Sequence, residues 1–306
     1  MHNSSGDNII EFFEKRLSSN KKEYARIFEE VQSKFSPKSV ANLLNYLLEN
    51  SNEPKILDIT LRLVNKYKYV DNFQSLYNFV ANCTQVNYTE LKVIAIKSLG
   101  AYKNKKALGV LLECLNDKNS NYKVRLAAAD ALGKIGDKSA FEPLSAIISD
   151  DNEKSSYVKE TAVVALGMLG DSRALDVFGS IINAGKLFKE KFSFLKERII
   201  EALARLDISE EGKAIEILKT GLMEPSSHLR IASIEALMNI NNSQCYDLIY
   251  DRLKFDEDTE VRKNALVALY NITDKAVLDE VIQGDFPLEL KDFAKNIMNE
   301  YEDSNE

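Results

Sequence analysis

Between residues 87 and 283 the apolar positions repeat on two scales, every three to four residues within a segment and again about every 33 residues along the chain. The stretch Tyr122 to Asp137, YKVRLAAADALGKIGD, shows both periods. With Arg125 as position zero, the same register falls on Lys92, Lys159, Lys196, Arg230 and Arg262; from Lys92 onward the intervals are 33, 34, 37, 34 and 32 residues. Seven positions after each basic residue stands a leucine: Leu99, Leu132, Leu166, Leu203, Leu237 and Leu269. Six positions after it comes a small residue (Ser98, Ala131, Ala165, Ala202, Ala236, Ala268), and ten after it a large apolar one (Tyr102, Ile135, Leu169, Leu206, Ile240, Ile272). Offsets of three, six, seven and ten lie along one face of an α-helix, and the small residues let a neighbouring helix axis come close.

The ends of these helices repeat as well. Twelve positions after the basic residue lies Asn104, Asp137, Asp171, Asn242 or Asp274, each a good N-cap for a second helix; Asp207 and Ser209 straddle the place in the remaining repeat. Gly133, Gly136, Gly167 and Gly170 are expected as C-caps of the first helices. A helical hairpin of this size cannot bury both its faces alone, so the six units are expected to stack on one another. Residues 1–86 keep helical periodicity without the basic register, over Asn8–Leu17, Lys21–Lys34, Pro37–Glu49, Pro54–Tyr67 and Asn72–Ala81. They are rich in aromatic residues, among them Phe12, Phe13, Tyr24, Phe28, Tyr67, Phe73 and Tyr77, and read as a cap with degenerate repeats whose rings form core. Residues 284–306 read as a closing helix, Leu288 to Tyr301, with an acidic tail.

The segments VRLAAADALGKIGDKSAFEPL and VKETAVVALGMLGDSRALDVF resemble HEAT repeats of the short bacterial kind found in phycobilin lyases. The resemblance covers about two thirds of the chain and implies an all-α, right-handed α-solenoid of stacked helical hairpins. It also implies that the basic residue opening each first helix joins a charge ladder with acids in the turns between repeats, here Asp117, Asp150, Asp151, Glu224 and Asp256. In that arrangement the first helix is the inner one, and its offsets of one, five and nine face the concave groove. Offset one holds Val93, Leu126, Glu160, Glu197, Ile231 and Lys263; offset five holds Lys97, Asp130, Val164, Glu201, Glu235 and Val267; Met168 and Arg205 stand at offset nine. Of these, Val93, Lys97, Leu126, Asp130, Glu160, Val164, Met168, Glu197, Glu201, Glu235 and Val267 are the candidate protein-binding set, because packing does not decide their identity.

Composition narrows the function classes. With 40 basic against 47 acidic residues the net charge is -7, which disfavours general binding to nucleic-acid phosphates. One local reversal stands out around the longest interval, GKLFKEKFSFLKER, residues 185–198, where Lys186, Phe188, Lys189, Lys191 and Phe192 interleave charge with aromatic rings. This segment is the candidate for an acidic partner, an anionic surface or RNA. Three cysteines without CxxC spacing and two histidines, His2 and His228, give no thiolate or histidine metal motif, and no metal or cofactor is expected. No phosphate-binding glycine loop or nucleophile–histidine pairing is present, so a non-catalytic role is expected. Neither histidine precedes a glutamate, unlike the iron-binding pairs of deoxyhypusine hydroxylase, and the chain has no tryptophan, unlike HEAT-like DNA glycosylases. The opening residues show no basic run followed by a long apolar core, and a cytoplasmic location is expected. Together these readings describe a scaffold or adaptor that holds a protein or peptide on its concave face or its aromatic cap, with a phycobilin-lyase-like role as the alternative.

Overall fold

The computed structural model describes residues 4–19, 23–84, 86–187, 193–203, 211–273 and 275–303. Among them every regular element is helical. Contacts divide the chain into two compact units, Met1–Ala165 and Leu166–Glu306, the division falling inside one helix.

The first unit holds α1 (Ser4–Ser19), α2 (Tyr24–Lys34), α3 (Pro37–Asn50), α4 (Pro54–Tyr67), α5 (Phe73–Asn82), α6 (Thr89–Tyr102), α7 (Leu108–Asn116), α8 (Tyr122–Ile135), α9 (Phe141–Ser149) and most of α10 (Ser156–Leu169). Helix starts follow the expected chemistry. Ser36 precedes Pro37 and its hydroxyl accepts from the Ser39 amide at 3.2 Å, while Pro54 opens α4, where a missing amide is harmless. The aromatic segment is largely core: Phe13, Phe28 and Phe73 are buried, and the Phe13 and Phe28 rings meet at 5.1 Å between centroids. Tyr67 and Tyr77 are half-buried, with the Tyr67 hydroxyl donating to Gln32 at 3.0 Å.

From α6 onward the hairpins repeat. The side chains of Asn104 and Asp137 accept from the amides of Lys106 and Ser139, and each starts a short 3-10 turn leading into the second helix. Lys105 adds an ion pair to Asp137 at 2.9 Å; the Ser139 amide, with Lys105 beside it, holds the Asp137 carboxyl down at about 2. The first helices pack at very short range, since a side-chain carbon added to Gly100 of α6 would lie 2.7 Å from the Cα of Ala131 in α8.

The second unit continues with α11 (Ala174–Leu187), α12 (Ser193–Leu203), α13 (Glu211–Gly221), α14 (Ser227–Ile240), α15 (Ser243–Phe255), α16 (Thr259–Thr273), α17 (Ala276–Gln283) and α18 (Leu288–Asp303). Asn242 caps α15 by accepting from the Cys245 amide at 2.9 Å. The expected cap Asp274 lies outside the described residues, as do Asp207 and Ser209. The glycine expectation needs dividing. Gly136 and Gly170 sit at positive φ, 72° and 62°, and end their helices as expected. Gly167 instead lies within the last turn of α10, 2.8 Å (as a built Cβ) from the Ala202 methyl of α12, so its role is close approach rather than capping. Gly133 likewise falls inside α8 and is buried. No described helix is long and apolar enough to cross a membrane.

Candidate functional site

The six basic residues at position zero are the most conspicuous set in the sequence, and their surroundings give them a structural task. In the first unit the Lys92 ammonium donates to the Cys83 carbonyl at 3.0 Å, Arg125 Nε to Leu115 at 2.9 Å, and Lys159 to Ile148 at 3.0 Å. In the second unit Arg262 Nε reaches the Leu253 carbonyl at 2.8 Å. Each of these acceptors lies at the C-terminal end of the preceding second helix, where free carbonyls and the negative end of the helix dipole favour a cation. Acids then close the rung from the next turn. Glu153 takes Arg125 Nη2, Glu224 takes Lys196 at 2.6 Å, and Asp256 takes Arg230 through two bonds of 3.0 and 2.9 Å.

Two of the expected acids, Glu224 and Asp256, are therefore in place. One correction follows. The partner of Arg125 is Glu153, whereas Asp150 pairs with Lys118 at 2.6 Å. Two rungs are deeply buried: the Arg125 and Arg230 side chains are each 6% exposed and their acids 2%. Burial pushes the Glu153 carboxyl up, but the hydrogen bonds from Arg125 and from the Ser155 amide outweigh it and hold the group below the usual glutamate value of 4.5. A carboxylate held low in the folded state stabilises the fold above that value and loses its contribution as the pH falls below it. The melting temperature of the wild type is thus expected to drop on acidification below about pH 4.5. Glu153→Gln, measured by thermal denaturation over the same range, should start lower and fall less steeply.

The candidate columns are for the most part half-buried. In the first unit Lys97 is exposed, while Leu126, Asp130, Glu160 and Val164 are half-buried, with the Asp130 carboxylate bound to Lys134 at 2.6 Å. Val93 departs from the expectation and is only 8% exposed. Helix α6 packs against α4, α5 and α8, and the short valine is covered there, while the longer Lys97 one turn later reaches solvent. In the second unit Met168, Glu197 and Glu201 are half-buried, and Glu235 and Val267 are exposed. The basic-aromatic segment is a different matter. Phe188, Lys189, Lys191 and Phe192 lie outside the described residues, and Lys186 is described only as part of α11.

One constellation has no motif in the sequence and forms only where two helices meet. Glu197 and Glu201 of α12 and His228 of α14 bring three possible ligand atoms within 4.8 Å of one another. Arg198 donates to Glu201 at 2.6 Å, and His228 Nε2 lies 3.1 Å from Glu197, so the group is already a charge network. Its signal in the sequence is the repeat interval itself: Glu197 follows one basic residue by one position and His228 precedes the next by two.

A family model described as HEAT repeats matches residues 84–155 and 121–186. No curated protein sequence matches the chain. Among solved structures, the CpcE–CpcF complex of phycocyanin lyase from Nostoc sp. is similar at 23% identity, covering 72% of this chain and 86% of that one with a TM-score of 0.47. Human deoxyhypusine hydroxylase in complex with glycerol gives 19% identity, 86% and 96% coverage and a TM-score of 0.38. The archaeal HEAT-like repeats protein from Thermococcus onnurineus gives 18% identity, 74% and 95% coverage and a TM-score of 0.42. With the repeated first helices, the capped second helices and the ladder of basic residues beside the matched segment, residues 84–186 of this chain carry HEAT repeats.

Proposed function

We propose that this protein is a non-catalytic scaffold that holds a protein or peptide partner against the open columns of its first helices. One observation carries the reading. Stacking buries offsets three, six and seven of these helices and leaves offsets one and five, Val93 apart, half-buried or exposed, where apolar Leu126, Val164 and Val267 alternate with Asp130, Glu160, Glu201 and Glu235. Positions that packing does not dictate, carrying apolar spots framed by charge, have the composition of a protein-recognition surface. The hairpins hold these side chains on rigid helices, so little entropy is lost when a partner settles on them. In this reading residues 1–86 close one end of the repeat array, and the partner is bound in the cytoplasm.

The test uses partners captured from the native cell with the full chain and then measured one by one. Leu126→Asp with Val164→Asp probes the first unit, and Glu235→Lys with Val267→Asp the second. At least one pair is expected to weaken capture roughly tenfold, the effect of losing an interface anchor, with an unchanged circular dichroism spectrum. Full-strength binding by both variants would move the site off these columns.

A further inference from the structure

The charge ladder has an open rung. In the sequence, the positions six residues before Lys159, Lys196, Arg230 and Arg262 hold Glu153, Glu190, Glu224 and Asp256; Glu190 lies outside the described residues, and the other three carboxylates close the rung of the preceding repeat on Arg125, Lys196 and Arg230. For Lys92 the equivalent position, six before Arg125, is Asn119, which carries no charge. The half-buried Lys92 ammonium donates to the Cys83 carbonyl, and among the described residues it has no ion pair. A cavity of about 460 Å³ lies at this place, lined by Lys92, Thr84, Thr89, Asn119, Ser120 and Asp117. Asp117 is the one acid on its wall; it accepts from the Asn119 amide at 3.0 Å and makes no ion pair with Lys92.

We infer that this cavity is a carboxylate-binding site, in which an acid from outside the chain takes the place that Glu153, Glu224 and Asp256 fill in the other rungs. A carboxylate fits because the basic residue of the same register takes one in three other repeats, Glu153 on Arg125, Glu224 on Lys196 and Asp256 on Arg230. The two spare hydrogens of Lys92 supply the charge, and the hydroxyls of Thr84 and Ser120 on the cavity wall supply neutral donors around it. The inference is independent of the concave columns, because it concerns the turn edge of the first repeat.

Two probes separate the sources of the acid: glutarate, for a free small molecule, and the capped peptide acetyl-Gly-Glu-Gly-amide, for a side chain of a partner protein. Each is titrated into the full chain at matched chloride concentration, following the backbone amide resonances of residues 117–121 and the heat of binding. Saturable shifts are expected, with Lys92→Met weakening binding roughly tenfold, the loss of one charge-assisted hydrogen bond. Asn119→Glu, a change on an exposed turn, supplies the missing acid from within. It should raise the melting temperature and abolish both titrations. Tighter binding of the peptide assigns the site to a partner chain, and tighter binding of glutarate assigns it to a metabolite-sized acid. Linear, unsaturable shifts with both probes, or titrations that survive Asn119→Glu, overturn the inference.

Discussion

Replacing Arg230 with methionine is expected to lower the stability of the second unit by about 3–5 kcal/mol, the range for breaking a buried ion pair from one side. The guanidinium makes two bonds to Asp256 and two more to the carbonyls of Glu224 and Pro225, at 2.9 and 3.0 Å. Removing it leaves the Asp256 carboxylate, 2% exposed, with the Asp258 amide at 3.0 Å and, as its remaining cation, the more distant Arg252 at 3.6 Å. The methionine recovers some packing but no donor. Taking out the acid as well, as Arg230→Met with Asp256→Leu, should restore a large part of the loss, because an apolar pair of similar volume avoids the unpaired charge. Urea denaturation of the two variants checks both statements. A double variant as unstable as the single one would mean that the carbonyl bonds, rather than the ion pair, carry the rung.

Much of this fold was legible in one chain because a repeat is its own alignment. The register of Leu132, Ala131 and Arg125 recurs six times, so each position reveals whether it is fixed by packing or free to vary. Helix caps were readable for the same reason, since Asn104, Asp137 and Asn242 use short-range chemistry that depends on few neighbours. What escaped was set by distance across turns. Glu153 stands three residues beyond Asp150, and only the path of the turn decides which acid meets Arg125. Yet the spacing of six before the next basic residue was there to be counted, in Glu153, Glu224 and Asp256 alike. Val93 escaped for another reason: an offset gives the direction of a side chain but not how far it must reach to find water. Of the candidate site, Lys97, Glu235 and Val267 were legible as surface, while the group formed by Glu197, Glu201 and His228 required two helices to be laid side by side.

The close approach of the first helices leads to the other large effect expected. Gly100→Val should destabilise the first unit by about 1–3 kcal/mol, the usual range for overpacking, because the obstacle is backbone and cannot turn aside. A Cβ at Gly100 would lie 2.7 Å from the Cα and 2.8 Å from the Cβ of Ala131, below any ordinary contact. Either α6 and α8 separate, exposing Leu99 and Leu132, which are both fully buried, or the helices shift in register. Helix propensity alone would argue the opposite, since a side chain stiffens the unfolded chain. Gly109 in α7 isolates that effect, because a Cβ there meets nothing within 4 Å. Gly109→Ala should therefore stabilise by about 0.4–1 kcal/mol. The two contributions are separated by a cycle of Gly100→Ala and Ala131→Gly, measured by thermal and urea denaturation. If contact between these helices sets the cost, the double variant should lose less than the sum of the single ones. Strict additivity would assign the whole cost to the Ala131 backbone, whose Cα stays in place in both variants.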